Sequence, residues 1–143
     1  MRFRSALIGA ALAALSITSA SGEIRIKHDP GGLIYNHMNA FAQARDAGEN
    51  VVIDGRCFSS CTLVLGIIPP DRICVTSRAL LGFHAAWTFG DDGRPVPSAE
   101  GTAAMWTVYP PSVRRWLASK GGLSSKVIVL RGRELTSMYR TCP

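Results

Sequence analysis

Val51-Val52-Ile53-Asp54-Gly55-Arg56-Cys57-Phe58-Ser59-Ser60-Cys61 is the stretch from which the rest of the chain can be read. The three β-branched residues that open it form a short, wholly apolar run, the mark of a strand buried on both faces as in a parallel sheet. That strand points at Gly55. From Ser59 onward the chain reads as a buried helix over 59–68, which Pro69-Pro70-Asp71 turns off.

Upstream, Ile24-Arg25-Ile26 reads as a short strand, and Asp29-Pro30-Gly31-Gly32 as a turn that proline pre-sets and two glycines carry through positive φ. Ile34, Met38, Phe41 and Arg45 then fall at helical spacing, with four nearby alanines supplying propensity and Gly48 as the stop. Downstream, 72–76 and 79–83 read as two more strand segments. The resulting β-turn-α-β-turn-α-β order calls for parallel strands joined by right-handed crossovers, and therefore an α/β fold. Beyond it, Gly90-Asp91-Asp92-Gly93-Arg94-Pro95 is a surface loop, and 98–108 is a helix ending before Pro110-Pro111. A second helix follows, capped by Ser112 and closed by Gly121-Gly122. A strand over 127–130 and a short helix or turn over 134–139 complete the reading.

The first residues lie apart from this domain. Met1-Arg2-Phe3-Arg4 is positive, 6–17 is nearly all apolar or small, and Thr18-Ser19-Ala20 offers the small residues that a signal peptidase reads. The expectation is a signal peptide over 1–21 and a single domain over 22–143. The apolar run covers only about 18 Å as a helix, too short for a hydrocarbon layer of about 30 Å, so no membrane anchor is expected after cleavage. Losing Arg2 and Arg4 lowers the basic count from 16 to 14 against 10 acidic side chains, so the net charge falls from +6 to +4. The arginines are dispersed, with no aromatic-basic platform, which argues against a nucleic-acid partner. All four cysteines, Cys57, Cys61, Cys74 and Cys142, lie past the signal segment. Two disulfides are the reading for an exported protein, with three possible pairings, and no metal site is expected. Periplasmic or secreted localisation follows.

Chemistry in open α/β sheets gathers at the carboxyl ends of parallel strands, and there two segments stand out: Asp29-Pro30-Gly31-Gly32 and the run from Gly55 to Cys61. A serine at a tight strand-to-helix turn presents its hydroxyl outward, and the N–H after it belongs to the unpaired first turn of the helix. Such an N–H can hold an oxyanion, and a glycine turn on a neighbouring strand can supply a second donor.

Pro30-Gly31-Gly32, then Gly55-x-x-x-Ser59, then Gly82-Phe83-His84, with 25 residues from Ser59 to His84, resemble the Clp-type serine peptidases of the crotonase-like superfamily, and more closely their exported bacterial relatives. The resemblance spans 24–87, and Arg72 opens the intervening strand as the family's basic residue does. It implies a crotonase/Clp-protease-like fold of repeated β-α-β units with a mostly parallel sheet, shortened in its C-terminal part. It implies a serine hydrolase, most plausibly a peptidase, with Ser59 as nucleophile, His84 as base, and the Gly32 and Ser60 N–H groups as oxyanion hole. Gly132 stands about where the family carries its aspartate, so the third member is open among Glu134, Asp91 and Asp92, with a bare dyad as the remaining option. No cofactor is expected; an acyl-CoA ligand and an ATP-driven unfoldase partner are both unexpected for an exported chain, while a homo-oligomer is open.

The competing expectation is a catalytically inactive envelope protein that keeps the fold and uses its cleft or tryptophans for binding. On it, Ser59 and Ser60 merely cap a helix and His84 is a hydrogen-bonded strand residue. His28 and His37 read as surface residues, and Trp87, Trp106 and Trp116 as core or interface anchors.

Overall fold

β2 (Asn50–Phe58) is the axis of the molecule. The computed structural model describes residues 22–143; the signal segment expected over 1–21 lies outside the described residues. β1 (Glu23–Asp29) runs parallel to β2 along one whole edge, from Glu23 beside Asn50 to Asp29 beside Cys57. The other edge is divided. Val51–Ile53 pair in parallel with β3 (Ile73–Val75), and Arg56–Phe58 pair in parallel with β4 (Leu80–Phe83). The sheet continues beyond β3 to the parallel β8 (Arg140–Thr141) and beyond β4 to the antiparallel β7 (Ile128–Leu130). The fold is therefore α/β with a curled, mostly parallel six-stranded sheet. Antiparallel β7 is the exception in the mostly parallel sheet that was expected.

The curl has a local cause. The β1–β2 register slips between Ile26 and His28, a bulge that drives the Lys27 carbonyl toward β2. A Cβ on residue 55 would sit 2.0 Å from that oxygen, so only glycine admits the bulge. Asp54, beside it, occupies the fork where β3 leaves and β4 begins. Its carboxylate, 3% exposed, accepts from Thr76 Oγ1 at 2.8 Å and from Arg78 Nη2 in the β3–β4 connection, and from Arg25 Nη1 of β1 at 3.2 Å. A buried charge must be paired, and here two segments, β1 and the β3–β4 connection, supply the partners.

Helices cover the sheet. α1 (Ile34–Asp46) buries Phe41 and Ala44. Past Phe58 the chain forms a 3-10 helix (Ser59–Leu63) and one α-turn, α2 (Val64–Ile67), a tighter form of the helix expected over 59–68. α3 (Ala99–Val108) is capped by Ser98, whose hydroxyl accepts from the Gly101 N–H at 3.0 Å. α4 (Pro111–Ser119) starts on Pro111 rather than on a Ser112 cap. Together α3 and α4 bring Tyr109 and Trp116 onto Phe83, with ring centroids 5.3 and 5.7 Å away, and close the core around β4. α5 (Gly132–Thr136) precedes β8. The loop expected around 90–95 is instead the turn of a hairpin, β5 (Trp87–Phe89) with β6 (Pro95–Pro97). Among the described residues no helix is long and apolar enough to cross a membrane.

The cysteines pair as Cys57–Cys61 and Cys74–Cys142. The second bridge ties β8 to β3 across a sequence separation of 68, the first closes a loop of only 4. Loop-closure entropy then predicts a loss of about 4 kcal/mol on replacing Cys74 and Cys142 by alanine, against about 2 for Cys57 and Cys61, as read by urea unfolding.

Hydrogen bonds from Arg78 and Thr76, joined by Arg25, hold the Asp54 pKa down to about 2 against burial. An unfolded aspartate titrates near 3.9, so the stability this carboxylate contributes is present above about pH 4 and is lost as pH falls toward 2. Asp54→Asn is expected to lower stability at pH 7 and to flatten its fall between pH 4 and 2, measured by urea midpoints across that range.

Candidate active site

The carboxyl ends of β1 and β2 bring the glycine turn and the serine turn into contact. Ser59 follows directly on β2 and has φ +56°, the sole non-glycine residue among those described in the left-handed region. Three features hold it there. The Cys57–Cys61 bridge spans it with the two Cα atoms 5.3 Å apart. The Thr62 hydroxyl donates to the Ser59 carbonyl at 2.6 Å, and with its proton so used it accepts from the Tyr109 phenol at 2.6 Å. Burial pushes that phenol well above its ordinary pKa, keeping it a donor. Finally, Gly31 at φ +91° lies so close that a Cβ there would be 2.5 Å from Ser59 Cβ and 2.8 Å from the Phe58 carbonyl. The two turns pack backbone to backbone.

Ser59 and His84 line one cleft of about 390 Å³, floored by Gly31 and Gly32 and walled by Trp87, Phe89 and Met105. His84 follows β4, and its Nδ1 lies 2.7 Å from the Ala85 carbonyl. A carbonyl only accepts, so Nδ1 carries the proton and Nε2 is the basic nitrogen. Ala85 is itself fixed, its N–H donating to the Ser124 carbonyl at 2.7 Å. In this conformation no hydrogen bond joins Ser59 to His84 among the described residues.

None of the three carboxylates considered as partner to His84 meets it. Glu134 pairs with Lys120 at 2.9 Å, and that hydrogen bond draws its pKa below the usual range. Asp92 accepts from the Arg94 N–H at 3.0 Å in the hairpin turn, and exposed Asp91 stands beside it. The group that fixes the His84 tautomer is the Ala85 carbonyl, which sequence inspection for an acid would never find.

The expected oxyanion donors differ from one another. Ser60 N–H, in the first turn of the 3-10 helix, has no hydrogen-bond partner among the described residues. Gly32 N–H donates to Ser60 Oγ at 2.8 Å. Ser60 Oγ also lies 3.0 Å from His37 Nδ1, and His37 Nε2 lies 3.0 Å from Asp29 Oδ2. His37 is thus not the surface residue it resembled: its side chain is 16% exposed and bridges both turns. The Ser60 side chain is buried and turned to Gly32 and His37, so the hydroxyl that lines the cleft is that of Ser59. Asp29 and His37 stand eight apart, and only the fold of the glycine turn reveals that they face each other.

No protein-family model matches the chain, and a search of curated proteins returned no match.

A left-handed backbone costs a residue bearing a Cβ about 1–2 kcal/mol, which glycine avoids while losing more chain entropy. Ser59→Gly is therefore expected to hold stability or raise it by up to about 1 kcal/mol, whereas Ser59→Val lowers it, as read by thermal unfolding.

Proposed function

We propose that the chain is an exported serine hydrolase of the Clp/crotonase-like fold, acting on peptide bonds. The observation that carries this reading is Ser59: a serine held in a left-handed conformation at the end of a central strand, facing a cleft it shares with a histidine whose basic nitrogen is Nε2. Backbone strain persists only where the surroundings impose it, and it concentrates at functional sites. In the proposed reaction Ser59 Oγ attacks the substrate carbonyl, His84 Nε2 takes its proton and passes it to the leaving amine, and Ser60 N–H holds the oxyanion. Gly32 N–H is the second donor, because an oxyanion is a stronger acceptor than the Ser60 hydroxyl it serves in this conformation. A carbonyl orients His84 but does not stabilise its cation as a carboxylate does, so turnover is slow.

The hairpin supports a peptide substrate. Ala86 carbonyl accepts from Ser98 N–H and Gly90 N–H donates to Arg94 carbonyl, so the alternation of an antiparallel pair turns the N–H and C=O of Trp87 and Phe89 away from β6. Trp87, Thr88 and Phe89 all line the cleft, as when a strand meets a cavity by its edge. An extended main chain pairs with such an edge. The outer edge of β6 lacks donors at Pro95 and Pro97. Two disulfides and a signal-like start support periplasmic or secreted localisation.

Purified protein lacking 1–21 is expected to react with a serine-directed fluorophosphonate. Ser59→Ala abolishes labelling, and His84→Ala slows it by about 10² to 10⁴. A folded wild type that does not label would discard the hydrolase and leave the competing reading, a binding protein that uses the same cleft.

A further inference from the structure

Ser60 is the most constrained polar side chain beside the cleft. It is fully buried, yet its single hydroxyl meets three polar groups: the Gly32 N–H at 2.8 Å, the Gly32 carbonyl at 3.0 Å and His37 Nδ1 at 3.0 Å. The roles can be assigned from the far end. Asp29 Oδ2 is 3.0 Å from His37 Nε2, and Asp29 Oδ1 accepts the Gly31 N–H at 2.8 Å. An ionised carboxylate only accepts, so Nε2 carries the proton of the neutral ring and Nδ1 is left as an acceptor. Ser60 Oγ then accepts from the Gly32 N–H, and its one proton is shared between the two acceptors at 3.0 Å, His37 Nδ1 and the Gly32 carbonyl. The chain begins at the end of β1, crosses α1 and ends in the serine turn, so it links three elements that meet at the cleft floor.

We propose that Asp29 and His37 are positioning residues that act through the Ser60 hydroxyl: they set its donor and acceptor directions and thereby hold the Gly32 peptide against the serine turn beside Ser59. A buried polar network in which every member is satisfied is rigid, and one missing member leaves the others to rearrange. The position of Gly32 N–H decides how well it serves a developing oxyanion, so the kinetic part of this inference rests on the hydrolase reading above. The structural part does not.

The test separates the two. In the mature protein, ¹⁵N NMR of His37 is expected to report the Nε2–H tautomer for the neutral ring, and the Gly32 amide is expected to be protected from hydrogen exchange. Asp29→Asn is the informative variant, because its side-chain oxygen still accepts the Gly31 N–H while its amide no longer demands a proton on Nε2. It should raise the Nδ1–H population of His37 and lower the maximal fluorophosphonate rate about tenfold, with the concentration dependence of labelling unchanged. Ser60→Ala should accelerate Gly32 exchange at least about tenfold beyond its neighbours. A general loss of stability would instead raise exchange throughout the core. The proposal is overturned if Asp29→Asn leaves the His37 tautomer unchanged, if Ser60→Ala leaves Gly32 protected, or if either variant labels as fast as wild type or faster. Should the wild type not label at all, the hydrolase reading falls and the NMR arms alone decide the positioning chain.

Discussion

The carbonyl oxygen of Lys27 sits where a side chain on residue 55 would begin, and the shape of the sheet depends on that contact. With glycine there, β1 follows β2 past a bulge to its carboxyl end, and β2 bends strongly enough for two strands to share its opposite edge in succession. A side chain at 55 would push β1 off and flatten the bend. Asp54, one residue earlier, holds the fork by collecting a cation from β1 on one side and a cation and a hydroxyl from the β3–β4 connection on the other. The cost of burying its charge is offset because the partners arrive from both sides.

The same pairing decides where chemistry is possible. Because β1 and β2 stay paired beyond the bulge, to Asp29 and Cys57, the turns that follow them leave the sheet side by side. Neither turn has a stable shape alone: one needs glycine at positive φ and the other forces a serine into it. Packed together, and stapled by the Cys57–Cys61 bridge, they fix each other. A fixed and unpaired backbone donor such as the Ser60 N–H suits electrostatic stabilisation of a developing charge, since it need not reorganise during a reaction.

Much of this was legible in the sequence, for reasons that are local. The apolar run Val51–Ile53, the helical spacing of Ile34, Met38 and Phe41, and the proline and glycine signals at 29–32 and 69–71 gave β2, α1 and the turns. The second half of β2 was hidden because Asp54, Gly55 and Arg56 break the apolar pattern, and their roles are long-range. The hairpin was hidden because Pro95 and Pro97 argue against a strand, a signal overruled when both prolines face an outer edge that needs no donors. Order and spacing single out Ser59 and His84, but not the cleft that both residues line. His37 was misread because its partners come from two other segments, and the tautomer of His84 depends on a backbone carbonyl that every residue type possesses.

The prolines of β6 have a colloidal consequence. A two-stranded hairpin with apolar, exposed side chains and two open edges is a template on which copies add end to end without limit. Here one edge keeps its donors and the other has lost them at alternate residues. A second copy that adds through its own β5 leaves only proline-bearing β6 edges outward, so such pairing closes at two copies instead of extending toward a fibre.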